Sequence, residues 1–110
     1  MTRLPAHLEV TGLMRAVQAE GGFATVIAKG ERDAGTLLVV TTHNGAPARL
    51  YERMPGLTGE RIFTATRDQD PQNPLDFNEY LTKRRRQDSD IWIVELDIAD
   101  AERFIALQHE

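Results

Sequence analysis

The sequence contains no cysteine and a single serine, Ser89. The first absence excludes disulfides, thiolate metal sites, iron–sulfur clusters and cysteine nucleophiles. The second leaves serine chemistry one candidate. Ser89 lies between Asp88 and Asp90, without the glycine-rich elbow that would expose a nucleophilic hydroxyl. Aromatic residues are only 6% of the chain, so the core must rest mainly on Leu, Ile, Val and Ala. Long hydrophobic runs are also missing. Leu37–Val40 is typical, and it is far short of a bilayer-spanning segment. The opening Met-Thr-Arg-Leu-Pro has no apolar stretch of the kind a secretory signal needs, and the expected location is cytoplasmic.

What is present suits one folded domain, residues 1–110. Apolar residues make up 41% and charged residues 27%, a balance typical of globular chains and too apolar for disorder. The net charge is −4, which disfavours non-specific binding to duplex DNA, because that affinity comes from neutralising phosphates. The excess sits in one half. Residues 1–60 carry six basic and six acidic side chains, and residues 61–110 carry seven and eleven.

Val10, Leu13, Met14 and Val17 recur at helical spacing, which predicts a helix over about residues 11–20, with a start as early as Pro5 allowed. Gly21-Gly22 supplies its end. The period then changes to that of strands. Phe23–Lys29 and Thr36–Thr42 flank the polar loop Gly30–Gly35, which reads as a hairpin connection. His43-Asn44-Gly45-Ala46 predicts a tight type I′ turn into a third strand, about Ala48–Met54, and Pro55–Gly59 leads to a fourth, Arg61–Thr66. Asp76, with Glu79 three residues on, has the form of a capping box for a helix whose inner stripe is Phe77, Tyr80, Leu81 and Arg84. Ile91–Leu96 reads as a strand, in which alternation with Val94 and Leu96 suggests a core Trp92 while an interface anchor on an exposed edge stays open, and Asp97 or Asp100 reads as the cap of a last helix. The order α-β-β-β-β-α-β-α predicts an α+β fold: an antiparallel sheet of about five strands with helices mainly on one face.

The stretches Gly21-Gly22-Phe23-Ala24-Thr25-Val26, Lys29-Gly30-Glu31-Arg32-Asp33-Ala34-Gly35, Leu50-Tyr51-Glu52 and Asp90-Ile91-Trp92-Ile93-Val94-Glu95 resemble a family of small alphaproteobacterial proteins, the domain of unknown function 1491. The resemblance spans nearly the whole chain. It implies a stand-alone bacterial domain of about this length, and it brings no activity, ligand or catalytic residue with it.

Local motifs fail one by one. Gly30-x-x-x-x-Gly35-Thr36 has a P-loop outline, but Thr36 stands where the phosphate-binding Lys is required, and a strand follows instead of a helix. His7-x-Glu9 is half of a zinc deaminase signature whose other half needs two cysteines. His7, His43 and His109 lack ligand spacing, so no metal site and no cofactor are expected. Among the carboxylates Glu52, Asp76, Glu79, Asp90 and Glu95 an acid–base pair is conceivable, although capping and strand alternation account for most of them. The run Lys83–Arg86 points in all directions around a helix and suits its C-terminal end.

The remaining signal lies on the sheet. Alternation puts Arg49, Tyr51 and Arg53 on one face of the third strand, and Arg61, Phe63 and Arg67 on one face of the fourth. If those faces coincide, four guanidinium groups surround two rings, a surface suited to stacked bases, phosphates or carboxylates. The reading favoured is a small non-enzymatic cytosolic binding or adaptor domain with a protein partner. Behind it stand a small-ligand binder or enzyme acting on a phosphorylated or carboxylated metabolite, and a single-stranded nucleic-acid binder using the Arg-aromatic face. No membrane partner is expected, and a homodimer through a sheet edge is compatible with strands this apolar.

Overall fold

The computed structural model describes residues 4–108, so His109 lies outside the described residues. Helix α1 spans Ala6–Ala19, and strands β1 (Phe23–Ala28), β2 (Leu37–Thr42), β3 (Arg49–Pro55) and β4 (Arg61–Asp68) follow. Helix α2 (Pro74–Gln87), strand β5 (Trp92–Asp97) and helix α3 (Ala101–Ala106) complete the order expected from the sequence. The five strands form one sheet in the order β1-β5-β2-β3-β4.

That order corrects one expectation. The sheet is mixed: β5 pairs antiparallel with β1 but parallel with β2, while β2–β3 and β3–β4 are antiparallel. β1 and β2 do run in opposite directions, yet they are not neighbours. The polar loop between them bridges a gap one strand wide, and β5 fills the gap. Backbone bonds lock the loop over the start of β5: Glu31 N–H donates to Asp90 O at 3.0 Å, and Trp92 N–H to Thr36 O at 2.8 Å. The Trp92 indole N–H donates to Glu31 O at 2.7 Å. Gly30 and Gly35, which outlined a false P-loop, are required by this crossing. A Cβ on either would stand 2.1 or 2.4 Å from the Asp90 carbonyl oxygen.

Helices cover both faces of the sheet. On the first, α1 and α3 bury Val10, Leu13, Val17, Phe104 and Ile105 against Val39, Tyr51, Trp92, Val94 and Leu96. On the second, Phe77 and Leu81 of α2 meet Leu38, Val40, Leu50 and Ile93. Leu38, Leu50, Ile93 and Leu96 are completely buried, each contributing roughly 1.5–3 kcal/mol through removal from water. Trp92 is core, 4% exposed.

Local signals that depend on neighbouring residues hold. Gly21 takes φ +85 at the end of α1, and Asn44 and Gly45 take φ 50 and 76 in the turn after β2. The inner stripe of α2 is as expected. Capping signals do not hold. α2 begins two residues before Asp76, with Asn73 as N-cap and no side-chain cap bond, so Asp76 and Glu79 form no capping box. Asp100 occupies the N-cap position of α3, also without a side-chain cap bond, and Asp97 ends β5. Among the described residues, no helix is long and apolar enough to cross a membrane.

Candidate functional site

The two arginine-bearing strands pair with their expected faces aligned between the hairpin and Tyr51–Ala65, and lose that alignment at a bulge beyond it. Arg53 stands opposite Phe63 and Tyr51 opposite Ala65, while Leu50 stands opposite Arg67, because the register shifts between Leu50 and Tyr51. Thr66 is the extra residue in β4. A bulge of this kind lets two residues oppose one and reverses the alternation beyond it. Arg67 therefore lies on the second face, and the composite surface of four guanidinium groups around two rings does not form.

Each residue of the expected surface has instead been drawn into one of three settings. Arg53 lies on the first face beneath α1, where it forms an ion pair with Glu9, the two side chains being 10% and 13% exposed. Its guanidinium carbon sits 4.8 Å from the Phe63 ring centre. Arg67 lies over the Tyr80 ring at 4.1 Å and donates to Asp76 at 2.9 Å. Beside it, Arg84 donates to Glu52 at 2.7 Å and to the Tyr80 hydroxyl at 3.0 Å, and Thr66 donates to the other oxygen of Glu52 at 2.7 Å. Burial opposes the charge on Arg84, but its hydrogen bonds to Glu52 and Tyr80 prevail and hold its proton more tightly than in free arginine. These arrangements pin α1 and α2 to the sheet. Arg61 is exposed at the hairpin end of β4.

Arg49 and Tyr51 line a concave surface. It is a cleft of about 470 Å³ at the end of the sheet where β2 and β5 terminate, walled by Thr41, Thr42, His43, Asp68, Gln69 and the start of α3. Arg49 donates through Nε to Asp68 at 2.6 Å. That bond, and then one with Tyr51, raises its affinity for its proton. In the same lining, His43 Nδ1 lies 3.2 Å from Asp97 Oδ1, and its Nε2 lies 3.2 Å from Asn44 Nδ2. Both ring nitrogens thus meet partners in the turn and at the strand end, and neither of these contacts is to a hydroxyl. Asp100 and Glu102 of the α3 segment extend the rim, both exposed. Among the described residues no three His, Cys, Asp or Glu side chains gather as a metal set.

The position of the cleft has a physical basis. In open sheets, the carboxyl ends of parallel strands leave a crevice where the chain departs to opposite sides. Here β2 leaves through the Asn44-Gly45 turn toward β3, and β5 leaves through Asp97 toward α3. Alternation along β3 named Arg49 and Tyr51 as candidates, and both line this cleft. His43, Asp97 and Asp100 were missed, because their convergence depends on β5 entering the sheet beside β2.

Comparison with known proteins then places the chain. The family model described as "Protein of unknown function (DUF1491)" matches residues 4–106. The chain belongs to this family. A crystal structure of a DUF1491 protein from Caulobacter crescentus is 32% identical, with a TM-score of 0.74 over 86% of this chain and 88% of that one. An NMR structure of a DUF1491 protein from the same organism is 31% identical, with a TM-score of 0.76 over 96% and 94%. A solution structure of an Agrobacterium tumefaciens protein is 30% identical, with a TM-score of 0.73 over 90% and 89%. No curated protein matches. The alphaproteobacterial resemblance read from the sequence is thereby shown, and the family, like its solved members, has no assigned function.

Proposed function

We propose that this DUF1491 protein is a cytosolic binding domain that receives a positively charged segment of a protein partner in the cleft at the carboxyl ends of β2 and β5. The observation that carries the reading is the composition of that cleft. Arg49 is already paired with Asp68, which leaves the carboxylates of Asp100 and Glu102 on the rim without a matching cation in the lining. The floor, with Tyr51, Ile98 and Thr41, offers apolar surface and hydroxyl groups beneath that charge. Such a surface attracts a Lys or Arg side chain and steers a basic partner by its field. Binding rather than turnover fits a His43–Asp97 pair whose second ring nitrogen faces Asn44.

Titration of the labelled protein with a short Lys/Arg-rich peptide, followed by amide chemical shifts, tests the proposal. Shifts confined to Thr41–Arg49, Gln69 and Ile98–Glu102, weakened by the D100N/E102Q pair and by added salt, are expected. Equal response to a Glu-rich peptide, or shifts scattered elsewhere on the sheet, would remove the cleft from consideration.

A further inference from the structure

We propose that β1 is a self-association edge, through which two copies of this chain pair antiparallel to form one continuous sheet. The two edges of the sheet are unlike. β4 carries Arg61, Arg67 and Asp68 and is broken by the bulge at Thr66, devices that blunt an edge against pairing. β1, Phe-Ala-Thr-Val-Ile-Ala, has no charged residue and no proline. Its outward side chains include Phe23 at 73%, Ile27 at 47% and Val26 at 38% exposure. Its register with β5 is regular from Phe23 to Val26 and shifts only past Val26. α1 packs on this strand, which ends the sheet order, so among the described residues no strand pairs with β1 on the side away from β5.

A second copy suits this edge because of the charges at its two ends. Exposed Glu20 precedes the strand and exposed Lys29 follows it. Antiparallel self-pairing brings Glu20 of each copy toward Lys29 of the other, whereas parallel pairing would set like charges together. A two-fold axis through Thr25 sets Thr25 against itself and Ala24 against Val26, keeping matching faces of the two sheets on the same side. Pairing of one six-residue strand gives a contact at the small end of the interface range, below about 1,200 Å². The dimer is therefore expected to be weak and reversible. The cleft lies on the wall formed by β2, β3, β4 and α3, so this inference stands or falls independently of the proposed ligand reading.

Sedimentation equilibrium of the full chain from about 10 µM to about 1 mM tests it, with amide shifts recorded over the same series. The average mass is expected to rise from 12.4 kDa toward twice that value. Concentration-dependent shifts should be confined to residues 20–29. Thr25→Lys, which sets two ammonium groups face to face at the axis, should weaken association at least tenfold, while Thr64→Lys on the opposite edge should leave it unchanged. A wild-type chain that stays at monomer mass throughout overturns the proposal. So do association that Thr25→Lys leaves intact and shifts that cluster on β4 or the helices. Should Thr25→Lys fail to fold, the wild-type shift map decides alone.

Discussion

Glycine serves opposite ends at two positions of this chain. Gly12 lies on the exposed side of α1, and a Cβ built there meets nothing within 4 Å. Its only contribution is backbone freedom lost on folding, which in a helix interior costs about 0.5–1 kcal/mol relative to alanine. Gly30 lies where the loop crosses the start of β5, and its Cβ would fall 2.1 Å from Asp90 O and 2.6 Å from the Ile91 carbonyl carbon. The nearest atoms are all backbone of Asp90 and Ile91, so no flexible side chain is there to yield. Gly12→Ala is therefore expected to stabilise the protein by about 0.5–1 kcal/mol, and Gly30→Ala to destabilise it by about 1–3 kcal/mol, both measured by urea unfolding. Equal effects at the two sites would mean that the loop can shift away from β5, contrary to the close crossing described above.

At the scale of elements, the bulge in β4 decides what α2 rests on. One extra residue, Thr66, turns Arg67 from the face of Arg53 and Phe63 to the face of Tyr80 and Asp76. A double-mutant cycle on Arg67→Ala and Tyr80→Ala is expected to return a favourable coupling of roughly 0.5–1 kcal/mol, the usual strength of a partly exposed cation–π contact. Zero coupling would put Arg67 back among the side chains of the first face. The bulge also shows why only part of this protein was legible in its sequence. The turn at Asn44-Gly45, the end of α1 at Gly21 and the stripe Phe77-Tyr80-Leu81-Arg84 follow from residues a few places apart, and all were legible, whereas Trp92 was open between core and interface until the fold placed it in the core. The start of α1 near Pro5 was allowed by the sequence but not fixed by it, because its cap comes from a distant loop: Ala6 N–H donates to Asp33 O and His7 N–H to Arg32 O, each at 2.9 Å. No residue near Pro5 signals that. Likewise, alternation along β4 names the members of each face but not where a bulge exchanges them. Of the six expected site residues, Arg49 and Tyr51 reach a cleft, Arg53, Phe63 and Arg67 hold helices to the sheet, and Arg61 lies exposed at the hairpin end.

For the whole molecule, the decisive fact is that the central connection comes late in the chain. β5, residues 92–97, joins β1 to β2, and without it β1 has no pairing partner in the rest of the sheet. Ile93, Val94 and Leu96 are fully buried, so the strand also supplies core to both helical layers. The non-local pairing of β1 must wait for residues more than seventy positions away where Phe23 pairs with Asp97, which raises the entropy lost before that contact forms. A chain ending at Asp90 is accordingly expected to remain unfolded, with narrow amide dispersion, although it retains four of the five strands and two of the three helices. The alternative has its own signature. If β1 and β2 can close directly on one another as the hairpin that their loop suggests, the truncated chain will show dispersed amides and cross-strand contacts between residues 23–28 and 37–42. That result would mean that β5 displaces an existing pairing during folding. An unfolded fragment would mean instead that β5 is the template on which both halves of the sheet assemble.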